Sequence, residues 1–250
     1  MKYPLALFFI ALAPCLPASL SAKTTTLIHD NFAESGDING TAPANSTIAG
    51  AVWKSGVKER AVVSDGKSAI VNIAKEQSGG IDLGPNFFRD NPGIYILSMN
   101  ILFPEKEEGK RWMALGFNNG SFPTQSFTDI TERAAGNAAG SPWVLLRAGG
   151  QVNVFAGPGN AKLLAGTPAE YASGKAHTLK LALDTRGEKW KLKASVNGTP
   201  IPLMRNGEET YEFNQNPEIR CVGFSATSLD EAPPTTVAIS DFRLEKSDSE

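Results

Sequence analysis

The chain has 250 residues, with 24 Lys and Arg against 26 Asp and Glu, and a formal net charge of -2 with both signs dispersed. No basic stripe is available for a phosphate backbone, which argues against nucleic acid as a partner. No segment beyond residue 22 approaches the length of a membrane span. The end from Glu245 to Glu250 is acidic and reads as solvated.

The first residues stand apart. Met1-Lys2 is a short basic start, Leu5 to Leu16 is an apolar run too short for a stable anchor, and Ala18-Ser19-Leu20-Ser21-Ala22 offers small residues to a signal peptidase. This is the layout of a secretory signal peptide cleaved after Ala22. Pro4, Pro14 and Pro17 argue against a buried helix there. Leu12-Ala13-Pro14-Cys15 resembles a lipoprotein acylation box, but proline directly before the cysteine fits that box poorly. The expectation is a signal peptide over 1–22 and one β-sandwich domain over 23–250, secreted or periplasmic. Cys15 then leaves with the signal, and Cys221 is the remaining cysteine, so packing alone must hold the fold. Within the apolar run Ile219 to Phe224, Cys221 reads as a small buried hydrophobe.

Along the rest of the chain, short apolar or alternating runs are separated by turns rich in Gly, Asn, Asp or Pro. That rhythm predicts an all-β sandwich or barrel. Strands are expected at Thr25–Asn31, Ala51–Ser55, Arg60–Val63, Ser68–Ala74, Ile94–Phe103 and Arg111–Asn118. Others are expected at Trp143–Ala148, Gln151–Ala156, His177–Asp184, Lys189–Asn197, Ile219–Thr227 and Thr236–Leu244. Asp65-Gly66, Gly149-Gly150 and Asn197-Gly198 suit the positive φ values of tight hairpins, and Asp184 to Glu188 is a further hairpin connection. Adjacent antiparallel strands are therefore the default. One stretch breaks the rhythm: Asn119 to Pro142 is long, polar and rich in small residues, with a short helix predicted within Thr128–Ala139. Such a loop is either functional or surface decoration, and decoration carries the greater weight.

Two segments resemble a known family. His177-Thr-Leu-Lys-Leu-Ala-Leu-Asp184, a short turn, and Trp190-Lys-Leu-Lys-Ala-Ser-Val-Asn-Gly198 are similar to the hairpin of laminin-G-like and concanavalin A-like sandwiches. Val237-Ala-Ile-Ser-Asp-Phe-Arg-Leu244 looks like their closing strand, which returns beside the N-terminal strand near Asp30-Asn31-Phe32. The resemblance implies an antiparallel β-sandwich of the jelly-roll, concanavalin A-like kind. Such sandwiches include lectins, glycosidases, polysaccharide lyases and adhesion modules, so function has to come from the site.

No catalytic residues emerge. Retaining glucanases of this fold place Glu-x-Asp-x-x-Glu on one strand, so that alternate side chains aim two carboxylates at one bond. Glu105-Lys-Glu107-Glu108, Glu208-Glu209 with Glu212, and Asp230-Glu231 all depart from that pattern and read as solvated turns. His29 and His177 are distant in sequence, and no Gly-x-Ser-x-Gly elbow accompanies them. One mature cysteine and two histidines make zinc improbable. No cofactor is expected; the sequence leaves a structural calcium site open, because calcium needs only loop oxygens.

Alternation points instead to binding. In Arg111 to Asn118, Met113, Leu115 and Phe117 are expected to face the core, leaving Trp112, Ala114, Gly116 and Asn118 on the other face. In Trp143 to Arg147, Val144 and Leu146 oppose Trp143, Leu145 and Arg147. In Gln151 to Phe155, Val152 and Val154 oppose Asn153 and Phe155. Pairing these strands in sequence order puts Trp112, Asn118, Trp143, Arg147, Asn153 and Phe155 on one outer surface, where indoles stack on sugar rings and Arg and Asn bond their hydroxyls. The weightier alternative for any single aromatic is the core. Trp190 alternates with Leu192, Ala194 and Val196 and reads as core; Trp53 suits either face. The favoured reading is a secreted, non-catalytic, lectin-like or adhesion module for a glycan or another extracellular polymer. A polysaccharide-active enzyme of the same fold and a structural envelope or matrix protein are the alternatives.

Overall fold

The computed structural model describes residues 23–56, 61–73, 77–105, 111–119, 142–156, 163–167, 171, 173–204, 206–228 and 235–248. The expected signal segment 1–22 with Cys15, the loop over 120–141 with its expected helix, and the Asp230-Glu231 pair lie outside the described residues.

In chain order the strands are β1 (Thr24–Asp30), β2 (Gly36–Asp37), β3 (Asn45–Ser46), β4 (Trp53–Ser55), β5 (Val63–Ser64), β6 (Ala69–Asn72) and β7 (Ser78–Asp82). A single helical turn, α1 (Phe87–Asp90), follows. Then come β8 (Ile94–Leu102), β9 (Arg111–Asn118), β10 (Trp143–Arg147), β11 (Val152–Phe155), β12 (Leu163–Thr167), β13 (Ala176–Asp184), β14 (Lys191–Val196), β15 (Thr199–Pro200), β16 (Tyr211–Glu212), β17 (Cys221–Ser228) and β18 (Thr236–Ser247). They form two antiparallel sheets. The larger, eleven-stranded sheet runs β15-β14-β13-β8-β18-β6-β5-β2 with β1, β3 and β16 attached. The seven-stranded sheet runs β12-β11-β10-β9-β17-β7-β4. No helix of the described residues is long and apolar enough to cross a membrane.

The chain moves between sheets in blocks: β9 to β12 are neighbours in one, β13 to β15 neighbours in the other, and β17 and β18 split between them. The expected closing strand is there. β18 pairs with β1 from Thr24↔Ser247 to Asp30↔Phe242. It also pairs with β8, across a bulge at which Asp241 takes a φ of 54°. The Asn197-Gly198 hairpin has φ of 52° and 78°, both positive as its tight turn requires.

β7 is the principal strand that sequence reasoning missed. Ser78-Gly79-Gly80 has no strand-forming side chains, yet β7 fills the gap between β17 and β4. The reason is tertiary: a Cβ at Gly79 would stand 2.7 Å from the Phe224 ring, so glycine leaves room for that ring in the core. β12 was missed as well.

The sheets close on one apolar core. Met113, Leu115 and Phe117 of β9, Val144 and Leu146 of β10, and Leu179, Leu181 and Leu183 of β13 are all fully buried in it. Trp53 and Trp190 join the same core, which settles Trp53 as interior. Cys221 is buried, as expected of a small hydrophobe in that run.

The two outer faces differ. β13 and β14 alternate between buried and partly or fully exposed positions, the pattern of a sheet with one wet side. β10 and β11 are buried at nearly every position, as is β9 beyond Arg111. The seven-stranded sheet is thus shielded from water on both faces over its central strands. Its sequence carries the cause: Trp-Met-Ala-Leu-Gly-Phe and Trp-Val-Leu-Leu are almost continuously apolar, whereas β13 and β14 intersperse Lys, Thr and Asp.

Candidate functional site

The outer face of the seven-stranded sheet is built in rows by its register. Trp143 stands opposite Gly116, Gly116 opposite Gly223, Gly223 opposite Gly80, and Gly80 opposite Lys54. Three successive strands therefore contribute no side chain to that row, leaving a bare backbone strip beside the Trp143 indole. To one side lies the row Asn118, Cys221, Asp82. To the other lie Leu145, Ala114, Ser225 and Ser78, with Asn153 opposite Leu145. Beyond them Arg147 faces Trp112.

The six residues singled out from alternation are thus on one face. Trp112, Trp143 and Phe155 form a cluster with Ala114 and Leu145 that is separate from the main core. The Trp143 and Phe155 rings stack at 4.1 Å and 11°, and Trp112 leans on Trp143 at 5.8 Å. The expectation of a solvent-facing aromatic surface is corrected: Trp112, Trp143 and Phe155 are only 2%, 3% and 4% exposed, and Asn118 and Asn153 are buried too. Strand alternation reports the face a side chain takes, not what lies over that face. Arg147 alone of the six is half-buried, with Nε donating to Asn153 Oδ1 at 3.4 Å.

Two polar groups on this face, Trp143 Nε1 and Ser225 Oγ, are buried without a hydrogen-bond partner among the described residues. A desolvated donor left unpaired costs about 1–3 kcal/mol, and such groups are rare in folded proteins. On a strand spacing near 4.8 Å and a rise near 3.4 Å, two strands and two residues separate them by roughly 12 Å. Ser225 and the glycine strip escaped sequence reasoning because their positions became neighbours only through β7 and β17.

The charge on the face is concentrated at one end. Arg220 binds the Asp82 carboxylate through Nε, at 2.8 and 2.9 Å to its two oxygens, and Lys54 Nζ lies 3.4 Å away. Burial works to raise the Asp82 carboxyl, but the Arg220 hydrogen bond, the Gly84 N–H and the two nearby cations outweigh it and hold the group below its ordinary value. A carboxylate held ionised by cations is poorly suited to donate a proton.

The histidines lie elsewhere. His29 Nε2 is 3.0 Å from Asp241 Oδ1, which also accepts from Arg243 Nε at 2.8 Å. His177 is buried, its Nδ1 3.1 Å from the Asn197 amide and its ring edge-on to Tyr171. Among the described residues no three His, Cys, Asp or Glu side chains are grouped so as to hold a metal ion.

No family model matches the chain, and neither does any curated protein sequence. Solved structures do. The metal-free carbohydrate recognition domain of Emp46p aligns at TM-score 0.51 with 14% identity over 77% of this chain and 87% of its own. The endo-1,3-beta-glucanase from Streptomyces sioyaensis aligns at 0.52 with 10% identity over 94% and 99%. The carbohydrate esterase vb_24B_21 from the Shiga toxin-encoding bacteriophage phi24B aligns at 0.50 with 12% identity over 90% and 99%. At such identities the likeness is one of fold.

Proposed function

From a chain with the concanavalin A-like sandwich fold, we propose an exported, non-catalytic, lectin-like module, one domain over 23–250, that binds a glycan on the outer face of its seven-stranded sheet. The observation that carries this is the pair of buried, unpartnered groups on that face, Trp143 Nε1 and Ser225 Oγ. Both are closed off from solvent, so a hydroxyl-rich ligand would supply their unmet hydrogen bonds on opening this face, where stacked aromatics and a strip of bare backbone match the composition of a saccharide site. Trp112, Asn118, Trp143, Arg147, Asn153 and Phe155 are the proposed contacts; all but Arg147 are buried, so contact requires this face to open on binding. The fold likeness to a carbohydrate recognition domain supports the same reading. Asp82, already claimed by Arg220 and Lys54, is a weak basis for acid catalysis, and the Leu5–Leu16 apolar run followed by small residues supports export.

Binding to a panel of soluble polysaccharides, measured for the parent, Trp143→Phe and Ser225→Ala, tests the site. Trp143→Phe keeps an aromatic ring at this position and removes the N–H, so binding about tenfold weaker is expected from a variant that still unfolds cooperatively. Binding by the parent that neither variant weakens would move the ligand elsewhere. Release of reducing ends from any polymer on the panel would replace this reading with the enzyme.

A further inference from the structure

The outer face of the larger sheet carries a second constellation, at the edge formed by β1 and β3. Ile28 is buried in the core, so alternation sends His29 outward, opposite Asn45 of β3 and Arg243 of β18. Two bulges meet there: Leu27 is the extra residue in β1, and Asp241 with Phe242 stands against the single Met99 of β8. Asp241 takes a φ of 54°, a left-handed conformation natural to glycine, and strain of this kind gathers at ligand sites. The bulge brings its carboxylate to His29 Nε2 at 3.0 Å, where Arg243 Nε and Nη2 also hold it, each at 2.8 Å. With a carboxylate at Nε2, the neutral ring carries its proton there and leaves the Nδ1 lone pair as an acceptor. No described residue bonds Nδ1.

Beside the ring lies an open pocket of about 390 Å³, lined by Thr26, His29, Asn45, Ser46 and Thr47. That volume is at the small end of small-molecule sites, which run from roughly 300 to 1,000 Å³. Its wall offers hydroxyls, an amide and an imidazole, and no hydrocarbon side chain. Ser46 Oγ is engaged by the Ile48 backbone and holds the turn after β3. The hydroxyls of Thr26 and Thr47 and the Asn45 amide make no hydrogen bond to a described residue. The charges favour a neutral occupant: Asp241 and Arg243 cancel, and Glu245, opposite Thr26, disfavours an anion. We propose that this pocket is a site for one residue of a neutral sugar. A ring hydroxyl donates to His29 Nδ1, others bond Thr26, Asn45 and Thr47, and Asp241 is the positioning residue that sets the imidazole. The pocket lies on the opposite side of the sandwich from Trp143 and stands independently of that face.

The chain has two histidines, so imidazole spectra read the site directly. Long-range proton–nitrogen spectra of the full chain are followed while methyl glycosides of glucose, galactose and mannose are titrated in, with inorganic phosphate as the anionic control. At least one glycoside should move the His29 Nδ1 resonance saturably. His177, buried against Asn197 and Tyr171, should not respond, and phosphate should move neither. Thr47→Ala, a truncation at an exposed position, should weaken the glycoside about tenfold with the fold unchanged. Asp241→Asn keeps a residue that accepts a positive φ but offers its amide N–H to Nε2, which moves the ring proton to Nδ1. The His29 spectrum should report that tautomer, and the affinity should fall by a similar factor. Trp143→Phe should leave the His29 response intact whatever it does to polymer binding; loss of the response there would place the ligand on the other face. A His29 resonance that no glycoside moves, or that phosphate moves instead, overturns the site, as does a response that survives both Thr47→Ala and Asp241→Asn.

Discussion

The carboxylate of Asp30, at the end of β1 in the larger sheet, accepts the indole N–H of Trp53, on β4 of the smaller sheet, at 2.6 Å. Its other oxygen accepts the Phe32 backbone N–H at 2.8 Å. Phe32 sits at a φ of 54° and its ring lies 5.6 Å from Trp53. One buried acid thereby ties the two sheets together and fixes the turn that leaves β1.

Asp30→Ala should be costly for that reason. It strands the Trp53 and Phe32 N–H groups in a dry interior, a loss of about 3 kcal/mol of stability. Chemical denaturation of the parent and Asp30→Ala measures it. A variant as stable as the parent would mean that water reaches these donors.

Gly223 is a second structural point, in the middle of the bare strip. A Cβ there would collide with the Gly79 carbonyl and come within 2.7 Å of Gly80 Cα. Both obstacles are backbone, so no side-chain rotation relieves them. Gly223→Ala is expected to destabilise by roughly 3 kcal/mol, the upper end of overpacking costs, by forcing β7 away from β17. The thermal midpoint reads this out, and an unchanged midpoint would show that β7 is not held as described.

The Asp82–Arg220 pair predicts a pH dependence. Asp82 is held below its ordinary 3.8 despite the opposing effect of burial. A carboxylate depressed in the folded state contributes stability that is complete above the unfolded value of 3.8 and is lost as pH falls through the folded value. Arg220→Gln should therefore unfold more easily than the parent at neutral pH, with the difference closing in acid below pH 3.8. Denaturation midpoints across that range check the sign. A difference that stays constant with pH would mean that Arg220 acts by packing rather than through the Asp82 charge.

Much of the sandwich was legible because a strand exposes its two faces alternately. Met113, Leu115 and Phe117 fell to the core and Trp112, Ala114 and Gly116 to the opposite face on that periodicity alone. β7 was not legible, since Gly79 is chosen by the Phe224 ring rather than by any local strand preference. Nor could periodicity reveal that the outer aromatics are buried at 2–4% exposure, because alternation carries no information about what rests on a sheet.

By itself the sequence determined the fold class, the strands with strong period-two patterning, and the membership of the β9–β11 face. Only the tertiary structure decided that Gly116, Gly223 and Gly80 align, that Ser225 joins the face of Trp143, and that Arg220 and Lys54 neutralise Asp82. The physical reason is range. Side-chain alternation is encoded between neighbours along one strand, whereas rows across a sheet depend on register between segments more than a hundred residues apart.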